Sequence, residues 1–138
     1  MITSEIELNL ENRQPGSVTV ARWLLILASI AAAGAMVMGI SNISSAGANT
    51  LTVEIWRIVG LGTFAGLFAL LSYRPLHYPG VWELVILNKL ALTVVALTYG
   101  SGADGARETA AVDGVLTVVL IFAYILSEGW KAWRKGER

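Results

Sequence analysis

Two ionised side chains stand in stretches that are otherwise apolar. Lys89 lies in "VWELVILNKLALTVVALTYG" (81–100), directly after Asn88, and Asp113 lies in "ETAAVDGVLTVVLIFAYILSE" (108–128). Further charges flank such stretches: Glu54 and Arg57 open "EIWRIVGLGTFAGLFALLSY", and Glu108 precedes Asp113. A carboxylate beside an ammonium in a poorly hydrated site supports two kinds of chemistry. It can hold a polar group of a ligand, or it can move protons, because burial and neighbouring charge shift the ionisation of both groups. On that basis Asp113, Glu108 and Glu54 are the candidate acid–base residues. Arg57, Asn88 and Lys89, with Trp56 and Tyr99 at the margins, are the candidate binding residues.

The composition shows which solvent these charges meet. The chain has 138 residues, 55% of them hydrophobic and only 14% charged, with a mean hydropathy of +0.63. Soluble domains carry roughly a quarter charged residues, so lipid is the expected surrounding. Formal net charge is zero, which gives no basis for a nucleic-acid partner. Cysteine is absent and His77 is the one histidine. Thiolate metal sites, thiol redox chemistry and bis-histidine haem are therefore excluded, and neither a metal nor a resident cofactor is expected.

A membrane-spanning helix needs about 20 mostly apolar residues. Four stretches meet that length, at about 21–43, 54–73, 81–100 and 108–128. The expected fold is all-α, an antiparallel four-helix bundle integral to the membrane. A polar tail over 1–20 precedes a domain over 21–133, and a basic end follows over 134–138. The fourth span is expected to run on as a polar helical end through Trp133. The first stretch is too long for a cleaved signal peptide and follows Glu5, Glu7 and Glu11, where a signal needs a short positive region.

An even number of crossings puts both termini and the 74–80 loop on one side. That side holds Arg13, Arg22, Arg74, Lys131, Arg134, Lys135 and Arg138. The excess of basic residues predicts a cell-membrane protein with both termini in the cytoplasm. Trp23, Trp82, Trp130 and Trp133 fall near that interface and Trp56 near the other, as interfacial anchors do.

Lipid offers no hydrophobic push between helices, so small residues are expected at the contacts. Ser29 and Ala33, Ala35 and Gly39, and Gly62 and Gly66 have that spacing, for packing within the bundle or against a second copy. At about 1.5 Å per residue Lys89 lies roughly 13–15 Å into its span and Asp113 about 8–9 Å into its own from the other side. A lysine stem reaching ~6 Å toward that side would bring the two together. The expected cluster is Glu54, Arg57, Asn88, Lys89, Glu108 and Asp113. A second polar group, Arg74, His77, Tyr78 and Glu83, is expected at the cytoplasmic interface.

The second span, "RIVGLGTFAGLFALLSYRP", resembles the DoxX-like group of small four-span bacterial membrane proteins. Arg57, Gly60, Arg74 and Pro75 occupy the places of its R-x-x-G opening and basic-Pro close, and "NKLAL" and "AVDGVL" suit the same plan. The resemblance covers about 50–130. It implies a place in a group whose members are linked to membrane oxidoreductase systems and share no single activity, so it says little about chemistry.

Three functions follow as expectations. One is a membrane protein whose polar pocket binds a lipophilic small molecule or a partner helix, accessory to a membrane pathway. Another is a cofactor-free isomerase, cyclase or hydrolase acting on a lipid- or terpenoid-like substrate, with Asp113 or Glu108 as acid–base and Arg57 and Lys89 stabilising negative charge. The third is an ion- or proton-coupled transporter, working as a homodimer, with Lys89 and Asp113 as the coupling pair.

Overall fold

The computed structural model describes residues 16–100, 102 and 105–135. The polar segment 1–15, residues 101, 103 and 104, and the last three residues of the basic end lie outside the described residues. Four long helices carry the fold: α1 (Gly16–Asn42), α2 (Leu51–Tyr73), α3 (Val81–Tyr99) and α4 (Ala106–Leu126). A short 3₁₀ turn at Ile43–Ser45 follows α1, and a five-residue helix α5 (Lys131–Lys135) ends the described chain. All four long helices are long and apolar enough to cross a membrane, and the chain is a multi-pass membrane protein. The end with Gly16, loop 74–80 and α5 is called the near end, and the opposite one the far end.

The surface is that of a bundle solvated by hydrocarbon. Leu27, Ile30, Met38, Leu84, Leu87, Val118 and Phe122 are all more than half exposed. The helices associate as two antiparallel hairpins, α1 with α2 and α3 with α4, and α1 also packs along α4. Between α2 and α3 the contact is slight. The shared core consists of Ala21, Leu25, Ala28 and Ala32 of α1, Phe68 and Leu71 of α2, Trp82 and Val85 of α3, and Leu120 and Ala123 of α4. On α1 these positions repeat at helical spacing and stop at Ala32, so the core fills the near half of the bundle. Beyond it each hairpin holds together by its own contacts.

Small residues make the α1–α2 contact. A Cβ on Gly39 would sit 2.7 Å from Ile58 Cγ1, and one on Gly62 would sit 2.8 Å from Met36 Sδ. Ser29 Oγ donates to the Ala65 carbonyl at 2.8 Å, joining the same pair. Gly34 and Gly66 have open space where a side chain would go. Of the expected small pairs, then, Gly39, Gly62 and Ser29 are spent inside the hairpin and Gly66 is not. Ile58 is buried and stiff at its branched Cβ. Gly39→Val therefore lowers stability in detergent by about 1–3 kcal/mol, while Gly34→Val leaves it unchanged. Equal effects of the two in an SDS titration would contradict this packing.

Two boundaries differ from the expectation. Helix α1 begins at Gly16, so residues 16–20 extend the first span by more than a turn. Their sequence, "GSVTV", has no charge to stop a helix and continues the apolar run. The fourth span does not run on to Trp133. Gly129 N–H bonds the Tyr124 carbonyl at 2.8 Å and Glu128 N–H bonds that of Ile125 at 3.1 Å, which closes α4 in a Schellman motif. Glu128 takes φ 53° there, in the left-handed region usually given to glycine. Gly129 is required beside it, because any Cβ would run into the Tyr124 ring. The chain then turns and restarts as α5.

Candidate functional site

Lys89 and Asp113 meet. The ammonium donates to Asp113 Oδ1 at 2.8 Å, and the two residues are only 6% and 7% exposed. Lys89 is on the face of α3 that continues from Trp82 and Val85, and Asp113 on the face of α4 that continues to Thr117 and Leu120. Helical periodicity thus turns both charges inward, at the upper limit of the core. Gly114, beside Asp113, faces Thr93 of α3 with room for little more than van der Waals contact. The two helices are therefore close enough for a lysine to span them.

The pair is buttressed from three directions. Phe64 of α2 places its ring 4.1 Å from the Lys89 nitrogen, a cation–π contact across the loosely packed side of the bundle. Thr93 Oγ1 donates to the Lys89 carbonyl at 2.8 Å, and Thr117 Oγ1 donates to the Asp113 carbonyl at 2.7 Å. Each charged residue is thus followed four positions on by a threonine that hydrogen-bonds its backbone and returns no hydroxyl to the charges. The spacing K-x-x-x-T and D-x-x-x-T is visible in the chain and marks both threonines. An ammonium has three N–H donors. Asp113 takes one and Phe64 offers its face, so the pair has hydrogen-bonding capacity left over.

The other expected members stand apart from this pair. Arg57 Nη2 bonds Glu54 Oε2 at 2.9 Å, one turn along the same helix, and its side chain is 63% exposed. Glu108, Trp56 and Tyr99 are exposed. Asn88 is exposed too, on the groove side of α3, and makes no side-chain hydrogen bond to the described residues. Three of the six expected cluster residues, Asn88, Lys89 and Asp113, are thus found at one level, and Glu54 with Arg57 forms a separate pair at the far end. Among the described residues no group of three or more His, Asp or Glu side chains has the arrangement to hold a metal ion.

Where α2 and α3 barely touch, a groove of about 460 Å³ opens sideways. Phe64 and Leu67 form one wall, and Leu84, Val85, Leu87, Asn88 and Ala91 the other. Phe64 serves both features: one wall of the groove is also the aromatic partner of Lys89. Asn88 is the one side chain of that lining with a hydrogen-bonding group.

At the near end, the polar set is different from the expected Arg74, His77, Tyr78 and Glu83. Glu83 Oε1 accepts from Tyr124 Oη at 2.8 Å and from Trp133 Nε1 at 3.0 Å, so one carboxylate joins α3 to α4 and to α5. Trp82 Nε1 donates to the Pro75 carbonyl at 2.8 Å, and its ring meets Tyr124 edge-on at 5.7 Å. Gly80 (φ 84°) starts α3 with the Trp133 ring 3.6 Å from where its Cβ would be. Arg74 instead lies over the Tyr73 ring, at 5.4 Å. Sequence proximity suggested the wrong partners for Glu83, because its real ones are 41 and 50 residues away.

No protein family, no curated protein and no solved structure matches this chain. The likeness to the DoxX-like group rests on its motif residues alone.

Proposed function

We propose that this chain is a cell-membrane binding protein, with its near end in the cytoplasm, that takes a lipophilic small molecule from the bilayer into the α2–α3 groove. The observation that supports this most is Asn88. Its amide sits in an apolar groove about 10 Å above the start of α3, with no partner among the described residues. An unpaired amide at that depth is costly, and a ligand carbonyl or hydroxyl removes the cost. The Lys89–Asp113 pair behind Phe64 stiffens the wall against which the ligand lies.

The groove's volume falls within the range of about 300–1,000 Å³ common for small-molecule sites. A partner helix fits it less well, since helix docking needs a strip of small residues along a span. Here Ala91 alone is small, and it lies one turn beyond Leu87 and Asn88. An acid–base role for Asp113 also has less support, because Lys89 holds its carboxylate.

A long-chain alcohol carrying a mid-chain benzophenone tests the reading in phosphatidylcholine vesicles. Ultraviolet labelling concentrates on α2 and α3 peptides, and Ala91→Trp, which fills the groove from an exposed position, reduces it to the level of the lipid-facing α4 side chains Val118 and Phe122. Even labelling around the bundle, or labelling that ignores Ala91→Trp, would overturn it.

A further inference from the structure

Lys89 lies within the length of the groove and yet outside its lining. Val85, one turn before it on the same face of α3, belongs to the lining, as do Asn88 and Ala91 on either side of it in sequence. What separates the ammonium from the groove is Phe64, whose ring stands 4.1 Å from the Lys89 nitrogen and is also a wall of the opening. Of the three N–H donors on Lys89, Asp113 accepts one and no other acceptor is present among the described residues.

The ring has room to move. An aromatic side chain on a helix points back over the preceding turn, in either of two staggered arrangements about its first side-chain bond. One turn before Phe64, on the same face of α2, stands Gly60, and nothing lies within 4 Å of the place its Cβ would take. On the other side the fully buried Phe68 ring packs against Phe64, with centroids 6.0 Å apart. The open direction is therefore toward Gly60, and the slight contact between α2 and α3 leaves it open.

We infer that Phe64 is a gate between the groove and Lys89, and that the groove's ligand is a lipophilic molecule with a neutral carbonyl within its apolar body. The ring swings toward Gly60 and the carbonyl oxygen takes its place. That oxygen has two lone pairs, one for a spare Lys89 N–H and one for the Asn88 amide. Asp113 already balances the charge of Lys89, so the place suits a neutral acceptor rather than an anion. A charge-assisted hydrogen bond replaces the cation–π contact that the ring gives up. This rests on the groove reading above and specifies the ligand's class.

The test uses a symmetrical long-chain ketone, isotopically labelled at its carbonyl carbon, in vesicles of ether-linked phosphatidylcholine, whose chains carry no carbonyl. In wild type the ketone displaces the benzophenone alcohol about tenfold better than an alkane of equal length, as one charge-assisted hydrogen bond implies. Its infrared carbonyl band also lies at lower frequency than in vesicles without protein. Gly60→Val fills the space the ring needs and touches neither charge, and it removes most of that advantage and moves the band back up. The double variant Lys89→Met with Asp113→Leu does the same by removing the donor, while Ala91→Trp abolishes the labelling itself. If Ala91→Trp abolishes labelling but either of the other variants leaves band and displacement at their wild-type values, the gate is overturned and the groove stands. If Ala91→Trp changes nothing, both readings fall.

Discussion

Lys89→Met costs the folded bundle about 3–5 kcal/mol, and Asp113→Leu costs a similar amount, because each leaves the other charge buried without its partner. The double variant Lys89→Met with Asp113→Leu behaves differently. It removes both charges, fills the space with apolar atoms, and regains most of the loss or exceeds the wild type. The ammonium and the carboxylate are 2.8 Å apart, and each residue is less than a tenth exposed. The Phe64 ring beside them packs on a methionine thioether as readily as on an ammonium. An SDS titration followed by tryptophan fluorescence reads the cycle. Additive single effects, with no recovery in the double variant, would mean that the pair is not coupled. A double variant that folds well yet still accepts the photoprobe assigns the pair to architecture; one that folds and no longer accepts it ties the charges to the ligand.

The second large effect is expected at Trp82, which is fully buried among α1, α2 and α4. Trp82→Ala leaves a cavity at the near end, an orphaned Pro75 carbonyl and a Tyr124 ring without its edge-on partner. The expected loss is about 3–5 kcal/mol. Trp82→Phe keeps an aromatic ring and forfeits the indole donor, so its loss is about 1–3 kcal/mol. The same unfolding titration separates the two. If alanine and phenylalanine cost the same, the hydrogen bond rather than the packing holds this end, and the core assignment is mistaken.

Much of this was legible from the chain because lipid makes the pattern coarse. Four apolar runs separated by short polar loops specify four antiparallel helices, and that is the fold. Lys89 and Asp113 were each the lone charge deep in a run, and their depths overlapped, which is why their meeting was foreseeable. Arg57 and Glu54 lay one turn apart on one helix, so a local pair was always open to them, and they form it. Spacing along the chain reports depth but not which neighbour a helix faces. For that reason the groove was not foreseeable: it depends on α2 and α3, consecutive in sequence, packing less closely than α1 and α4. The partners of Glu83 were hidden for the same reason. The Schellman turn at Glu128–Gly129 was missed because a glutamate occupies the left-handed position, where a glycine would have announced it.

The division of the bundle into two hairpins bears on how the chain enters the bilayer. Taken alone, α3 presents an ammonium to hydrocarbon, at a cost of about 2.5–3.5 kcal/mol on translocon scales. Taken with α4, that ammonium already has its carboxylate, and Thr93 and Thr117 already have their acceptors. No charged residue of α1 or α2 is fully buried, and the contact between these two helices runs through Gly39, Gly62 and Ser29. On this energetic ground the first hairpin is expected to leave the translocon one helix at a time, and the third helix to leave together with the fourth, whose carboxylate it needs. The single variants above report on this too, since glycosylation mapping of Asp113→Leu would show the third helix inserting less completely if the two do leave together.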